Sequence, residues 1–513
     1  MSESTVASGS RQPGLARLQI PVRPVRFVLA SLLAVGLGVA AAPAQAQFDN
    51  LPRLGDAGGA ELPPETERRI GEAIMSDLRR EEAILDDAEL VDYLNAFAGQ
   101  LTETRPAQGL SFEFFLLRDA SLNAFALPGG YIGVHSGLMI TAQTESELAS
   151  VLAHEVGHVT QRHVARMLAK NQQSSVVSLA AVVVALIAAT QNPQAAAGLV
   201  ALGGSVQEST MLSFSRDAER EADRVGLEIL REAGFQARDM VAFFSRMQQA
   251  TRVYESGAPA YLRTHPLTGE RMTDIQNRVL DFRYRQHADS LEFHLARAKL
   301  RAQSDTTVDG LARADKRLQT QLDEGSYLNE TALWYEMALV ATERRQFDVA
   351  RKKLARAGAV IGPEGVAGHR FLARLQAHIE QVSGNTEEAL RLTEAGINRF
   401  SDARALRRMK ADLLIELKRY GPAVAFLEEE KAVYRADPHI WRTLAQAHFA
   451  NNSPGLAHWA TAEQYVLLGA WPAARSQLLL ARQDTQLDFY RLSQIDSRLR
   501  EIEGVITRER ERE

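Results

Sequence analysis

The sequence predicts a mainly α-helical protein, in which a domain of helices and a small β-sheet is followed by an α-solenoid of tetratricopeptide repeats. Apolar residues recur at helical spacing over residues 144–159, after a capping-box pair formed by Thr144 and Glu147. A turn-forming stretch at residues 127–130 and a strand-like run at residues 131–135 precede that helix. From about residue 290, alanines recur at intervals of 34 residues, which is the tetratricopeptide period.

Residues 1–46 are predicted to be a cleaved export signal. Arg23 and Arg26 precede an apolar run that ends in an A-x-A cleavage site at residues 44–46. The run is shorter than the ~20 residues that a membrane span needs, so we expect at most peripheral membrane contact. Residues 47–64, rich in Gly, Pro and Asp, are expected to form a flexible lead. The mature protein is expected in a bacterial periplasm.

The composition limits the classes of function. The 513-residue chain has a formal net charge of −5 and lacks the basic footprint of a nucleic-acid-binding protein. It contains no cysteine, so its stability outside the cytosol would not depend on disulfides. With 45% hydrophobic residues, a chain of this length can form at least two domains.

The pentad at residues 154–158 has the spacing of a zinc site. His154 and His158 are one helical turn apart, so their ring nitrogens can converge on a single Zn²⁺. Glu155 lies beside the open position of such an ion, where it can take a proton from bound water. The pentad therefore predicts two metal ligands and a general base, although such a string also arises by chance.

A second acidic segment begins 61 residues after His158, where Glu219 and Asp223 are one helical turn apart. Glu219 can supply a third ligand. Asp223 can accept a hydrogen bond from the second ring nitrogen of His154, which would fix its tautomer. Without the upstream pentad, the same pattern is typical of a charged surface helix.

These strings resemble the zinc metalloendopeptidases related to the CaaX prenyl endopeptidases and HtpX, and in particular their bacterial periplasmic branch with tetratricopeptide repeats. The resemblance covers most of the chain and includes the Asn123–Ala126 string, Thr264-His265-Pro266 and the following Arg271. It implies a gluzincin-type site with one Zn²⁺ per chain. It also implies that Glu219, and not the neighbouring Glu221, is the third ligand.

The resemblance implies roles for the remaining strings. Asn123, Ala124, Phe125 and Ala126 would form the edge strand that binds an extended substrate. His265 would lie over the zinc, where it can occupy the open position or contact the substrate, and Arg271 would stabilise the tetrahedral oxyanion. His135 and His163 are interpreted as structural.

The repeat region is predicted from two sets of alanines. Ala377, Ala411 and Ala445 are 34 residues apart, and a second set, Ala389, Ala423 and Ala457, follows twelve positions later. Small residues there let paired helices approach closely. The predicted domains are a metalloprotease domain at 65–285, the repeat array at 286–485, and a capping helix with a tail at 486–513. Helical hairpins without a true repeat are the alternative.

Two apolar runs, at residues 176–189 and 195–204, fall between the pentad and Glu219. Each is too short to span a bilayer. A buried helical hairpin is the simplest interpretation, and a lid that touches the membrane or the substrate is the alternative. In either case the segment would lie near the mouth of the active site.

Together these features predict a periplasmic zinc endopeptidase whose repeat array recruits protein substrates or an assembly machine, which the family resemblance implies to be the β-barrel assembly machinery. The family resemblance implies cleavage of outer-membrane β-barrel proteins stalled in assembly, in envelope quality control. The alternative is a chaperone or assembly factor that acts through the array while the protease site stays largely latent. A prenyl-protein protease is disfavoured by the predicted localisation and by the missing membrane spans.

Overall fold

The computed structural model of the protein describes residues 62–80, 83–170, 215–253, 260–283 and 285–510. The predicted export signal, nearly all of the predicted flexible lead and both apolar runs of the 176–204 segment lie outside the described residues. Within the described ranges, no helix has both the length and the apolar character required to cross a membrane.

The described residues are mostly helical, and one three-stranded sheet lies near the start of the chain. The strands are β1 (Glu113–Leu117), β2 (Ala124–Ala126) and β3 (Tyr131–His135). The helices are α1 Pro64–Arg80, α2 Ala88–Thr102, α3 Ser136–Thr141, α4 Glu145–Thr160, α5 His163–Lys170, α6 Arg216–Ala233, α7 Arg238–Val253, α8 Ala260–Thr264, α9 Gly269–Leu280, α10 Leu291–Ser304, α11 Val308–Glu324, α12 Glu330–Glu343, α13 Phe347–Ile361, α14 Arg370–Val382, α15 Thr386–Arg399, α16 Arg404–Glu416, α17 Tyr420–Val433, α18 Pro438–Ala450, α19 Pro454–Leu467, α20 Trp471–Arg482 and α21 Phe489–Arg510. The predicted fold class is confirmed.

The sheet has the order β1-β3-β2, with β1 parallel and β2 antiparallel to β3. Phe114 and Leu116 of β1 pack into the core formed with α2 and α4, whereas Phe115 and Leu117 pack against α1 and α5. A strand buried on both faces reads as an unbroken apolar run, as β1 does. Gly130 closes the β2–β3 turn at a φ of 88°, and a Cβ there would lie 2.0 Å from the carbonyl oxygen of Ser111.

Helix α4 is buried from Glu145 to His158. The predicted N-cap is present, since the Thr144 side chain accepts a hydrogen bond from the Glu147 N–H. Two glycines bring α4 and α6 into backbone contact. A Cβ at Gly157 would lie 2.9 Å from the Ala222 carbonyl oxygen, and one at Gly226 would lie 3.1 Å from the His154 nitrogen. This close approach aligns the acidic segment of α6 with the histidines of α4.

Helices α12 to α20 form the helical-repeat array. The helices α14, α16 and α18 begin at residues 370, 404 and 438, which keeps the interval of 34. The turns within these pairs repeat as well, because Gly384, Lys418 and Asn452 all have a left-handed φ, of 92°, 57° and 58°. Four of the predicted alanines, Ala377, Ala389, Ala411 and Ala423, are fully buried. Helix α21 then packs Ile495, Leu499 and Ile502 against α20.

The protease-side core does not end at residue 285. Phe293 of α10, Tyr335 of α12 and Phe371 of α14 belong to the same buried cluster as Leu148 and Val151 of α4. The sequence pattern changes near residue 290, whereas the packing continues across that point.

A buried lysine joins α10 to the start of α2. Lys299 is 1% exposed, and its Nζ lies 2.7 Å from Asp87 Oδ2 and 2.8 Å from Glu89 Oε2. Burial alone would raise the pKa of Asp87, but Lys299 and Arg374 hold it well below its ordinary value. Both carboxylates therefore depend on this cation.

We expect Lys299→Met to lower the free energy of unfolding by about 3–5 kcal/mol, because it leaves the buried Glu89 and the half-buried Asp87 without their main partner. Urea denaturation of the full chain measures this. The matched control is Lys410→Met, since Lys410 pairs with the half-exposed Glu394 and such a pair contributes about 1 kcal/mol or less. Equal losses in the two variants would contradict the prediction.

Candidate metal centre

Four buried side chains from three parts of the chain converge on one point. His154 and His158 come from α4, Glu219 from α6, and His265 directly follows α8. One ligand atom from each lies within 4.8 Å of all the others. The structure thus brings together the three predicted zinc ligands and adds His265 as a fourth group.

The distances between these atoms fit a tetrahedral ion. His154 Nε2 and His158 Nε2 are 3.0 Å apart, and they lie 3.6 Å and 3.4 Å from the Glu219 oxygens. Zinc bonds of 2.0–2.2 Å place neighbouring tetrahedral ligands about 3.3 Å apart. Two buried imidazole nitrogens that face each other beside a carboxylate are a suitable donor set for such a cation.

Glu219 is poised to act as an anionic ligand. Burial favours its neutral form, but the imidazoles of His265, His154 and His158 hold the pKa of Glu219 well below its ordinary value. Arg271 Nη1 also lies 2.6 Å from Glu219 Oε2. A carboxylate that stays charged can bind a metal ion without first losing a proton.

His265 occupies the fourth corner of the cluster. Its Nδ1 lies 2.9 Å from Glu219 Oε1 and 3.4 Å from His154 Nε2. The His265 ring stacks on the ring of Tyr261 at a centroid distance of 4.7 Å. Catalytic zinc sites keep one position open for water or substrate, so the arrangement seen here is the closed one.

Glu155 lies beside the cluster and is fully buried. Its Oε1 is 3.6 Å from His265 Nε2, and neither carboxylate oxygen accepts a well-aligned hydrogen bond from the described residues. Burial raises the pKa of Glu155, although His265, His154 and the Ala126 amide favour its charged form. A carboxylate with free acceptor oxygens among the described residues and a raised pKa is suited to act as a general base.

Asp223 lies beside the first histidine. Its Oδ1 lies 3.0 Å from His154 Nδ1. Burial disfavours a charged imidazole, yet Asp223 and Glu219 raise the pKa of His154 to about 9. The geometry is that of a carboxylate fixing the orientation of a metal-binding imidazole.

Arg271 lies behind the ligands in this structure. Its Nε and Nη2 donate to Asp223 at 2.7 Å and 2.8 Å, and its Nη1 donates to the Pro266 carbonyl at 2.8 Å. The guanidinium therefore holds Glu219 and Asp223 in place. Stabilisation of the oxyanion by Arg271 remains a prediction. It would require Arg271 to give up some of its hydrogen bonds to Asp223 or Pro266 and to donate to the oxyanion instead.

The predicted substrate-binding strand lies next to Glu155. Strand β2 pairs with β3 on one side only and so forms an edge of the described sheet, and it packs against α4. Asn123 is buried and its carbonyl accepts a hydrogen bond from His135 N–H, whereas Phe125 is half-buried. Substrate binding by Asn123–Ala126 remains a prediction.

The sequence reasoning did not anticipate two contacts beside the metal centre. His163, interpreted only as structural, places its Nδ1 3.0 Å from His158 Nδ1, and its Nε2 lies 3.1 Å from Glu221. Glu221 thus faces His163 and is absent from the metal-site cluster. The sequence offered no direct signal, because residue i+5 of a continuous helix does not share the face of His158. His135 is buried against Ser121, where a structural role was expected.

Comparisons with known proteins agree with this site. Residues 85–279, which include β1–β3, α4 and α6, match the model of peptidase family M48. The chain is 30% identical to the beta-barrel assembly-enhancing protease of Escherichia coli K12, over 93% of this chain and 96% of that protein. A Vibrio cholerae protein that carries the same name provisionally is 36% identical over 64% of this chain and 68% of its own length.

A more distant similarity is confined to a shorter stretch. The mitochondrial metalloendopeptidase OMA1 of Arabidopsis thaliana is 30% identical over 38% of each chain. The family match covers the helices that carry the His/Glu cluster, and similarity to the bacterial proteases extends over nearly the whole chain. The chain therefore belongs to peptidase family M48 and is a metalloendopeptidase similar to the beta-barrel assembly-enhancing proteases.

Proposed function

We propose that the protein is a periplasmic zinc metalloendopeptidase that cleaves misfolded or stalled proteins, in particular outer-membrane β-barrel proteins. The observation that carries the proposal is the buried cluster of His154, His158 and Glu219. Beside it lie the Glu155 carboxylate, which accepts no well-aligned side-chain hydrogen bond from the described residues, and β2, an edge strand of the described sheet. The names of the similar bacterial proteases support the choice of substrate.

The chemistry follows from the positions of these groups. His154, His158 and Glu219 would hold one zinc ion per chain. When bound, such an ion polarises the scissile carbonyl and makes water more acidic. Glu155 takes a proton from the attacking water as its oxygen bonds to the carbonyl carbon, and delivers that proton to the amine that leaves as the C–N bond breaks.

The strand edge suits substrates without a fixed sequence. An extended peptide can add to β2 through main-chain hydrogen bonds, which any sequence can supply. Only unfolded segments can adopt this conformation beside Glu155, so selection would depend on folding state. The helical-repeat array would bring such substrates, or the β-barrel assembly machinery, to the protease.

The experiment compares one outer-membrane β-barrel protein in two states, unfolded and folded into detergent micelles. We expect the purified enzyme to cleave the unfolded form. A chelator should stop this cleavage, and added zinc should restore it. Equal cleavage of both forms would exclude selection by folding state. Separately, cell fractionation with mass spectrometry should find a periplasmic chain that begins at Gln47, and a cytoplasmic chain would refute the localisation.

A second function is favoured by the position of His265. Because its Nδ1 lies where water or substrate would bind, the closed site is compatible with an assembly factor whose protease activity is latent. The two functions can coexist in one molecule if His265 moves aside when a substrate arrives.

We expect His265→Ala to increase the cleavage rate of unfolded protein several-fold, because it opens the fourth corner while three ligands remain. Initial rates with denatured casein, together with metal content, measure this. Retained metal with reduced cleavage would show instead that His265 contacts the substrate during the reaction.

A further inference from the structure

We propose that His163 and Glu221 are positioning residues for the metal centre, which hold the ring of His158 with its Nε2 directed at the ion. This inference rests on the proposed metal site. It assigns a second support, behind His158 where Asp223 lies behind His154, to residues that carry no role in the chemistry described above.

The three groups form a hydrogen-bonded chain. His158 Nδ1 lies 3.0 Å from His163 Nδ1, and His163 Nε2 lies 3.1 Å from Glu221 Oε2. Arg166 Nη2 closes the far end, at 3.0 Å from the same Glu221 oxygen. His158 and His163 are both buried, with exposures of 0% and 3%, so bulk water does not compete for these contacts.

The Glu221 carboxylate, at the end of this hydrogen-bonded series, determines which ring nitrogens of His163 and His158 carry a hydrogen. An ionised Glu221 only accepts, so His163 Nε2 carries a hydrogen and donates it. His163 Nδ1 is then the acceptor, and His158 Nδ1 must be the donor. This leaves the lone pair of a neutral His158 on Nε2, the atom that faces His154 and Glu219.

The backbone is bent to bring His163 into this position. Helix α4 ends at Thr160, and Arg162 has a left-handed φ of 52°, which turns the chain so that α5 begins at His163. Residues with a side chain adopt this conformation only where the surrounding structure holds them there. The Arg162 guanidinium is fixed by Glu67 at 2.8 Å and by the Leu62 carbonyl at 2.8 Å. The turn is therefore held from outside by α1.

The two histidines of the pentad are supported in parallel ways. Asp223 lies next to Nδ1 of His154, and Arg271 donates a hydrogen bond to Asp223. His163 lies next to Nδ1 of His158 and contacts Glu221, and Arg166 donates a hydrogen bond to Glu221. Helix α6 thus supplies a ligand, Glu219, and also the two carboxylates behind the histidines, Asp223 and Glu221.

Zinc affinity of the metal-free full chain, measured by competition with a chromophoric chelator, tests the proposal. We expect His163→Phe to weaken zinc binding about 10–100-fold, the usual cost of losing such a support, and to change the d–d absorption of the cobalt-substituted protein. His163→Gln keeps an acceptor for His158 and should recover part of the affinity. Glu221→Leu should weaken binding as well, and should add little when combined with His163→Phe.

The matched control is His448→Phe, which removes another buried histidine that faces a glutamate, at 3.5 Å from Glu428 in the helical-repeat array. It should leave zinc affinity unchanged. Wild-type affinity and an unaltered cobalt spectrum in His163→Phe would overturn the inference. If that variant does not fold by circular dichroism, Glu221→Leu decides alone, and unchanged affinity there overturns it. Absence of metal binding by the wild-type chain would refute the proposed metal centre itself.

Discussion

Glu155→Gln is expected to lower the rate of peptide cleavage by about 10²–10⁴-fold, the range that a general base contributes. Gln has nearly the same shape as Glu but cannot take a proton from water. The buried side chain would still fit between His265 and the Ala126 amide, so folding should be preserved. Initial rates with an unfolded substrate measure the effect.

The zinc content should not change in this variant, because Glu155 is not among the clustered ligand atoms. The control is Glu145→Gln on the same helix, since Glu145 is also buried but bonds to Tyr93 and Ser290, away from the cluster. It should cleave at nearly the wild-type rate. Near-normal cleavage by Glu155→Gln would remove Glu155 from the chemistry, whatever metal is bound.

Glu219→Gln is expected to lose zinc. It removes the anionic ligand of the cluster, and two imidazoles with His265 would have to hold the ion without any negative charge in contact. The loss of affinity should exceed the about 10–100-fold effect of removing a supporting residue. Zinc per chain after dialysis, measured by mass spectrometry, gives the result.

Glu221→Gln is the matched comparison, because Glu221 is two residues away on the same helix and faces His163. This variant keeps an oxygen that can accept from His163, so it should retain more of its ion than Glu219→Gln after the same dialysis. Full retention of zinc by Glu219→Gln would move the third ligand elsewhere, with His265 the nearest remaining candidate.

The sequence predicted those parts of the site that depend on local periodicity. The spacing of His154 and His158 is enough to place both rings on one face of α4. Residues 131–135 and the turn before them also predicted β3 and the hairpin, because turn chemistry and strand propensity are local properties. The interval of 34 between the alanines is also the interval between the starts of α14, α16 and α18.

Other parts depend on contacts that no local pattern encodes. Glu219 reaches the histidines because Gly157 and Gly226 let two distant helices touch. Its spacing from Asp223 made it a candidate ligand, and only the family resemblance chose it over Glu221. The place of His163 depends on one left-handed residue, Arg162, which is neither Gly nor Asn and so gives no turn signal. Lys299 reads as a surface charge in sequence, yet it is buried between two carboxylates.

The cluster that joins Leu148 to Phe293, Tyr335 and Phe371 has a consequence for how the molecule can be dissected. Proteolytic cleavage between Leu280 and Leu291 would cut the polypeptide, but the hydrophobic core to which both fragments contribute would remain packed. The fragments should therefore co-purify and keep their activity after limited digestion. A gene truncated at the same place would encode a piece with a bare apolar side, which we expect to aggregate.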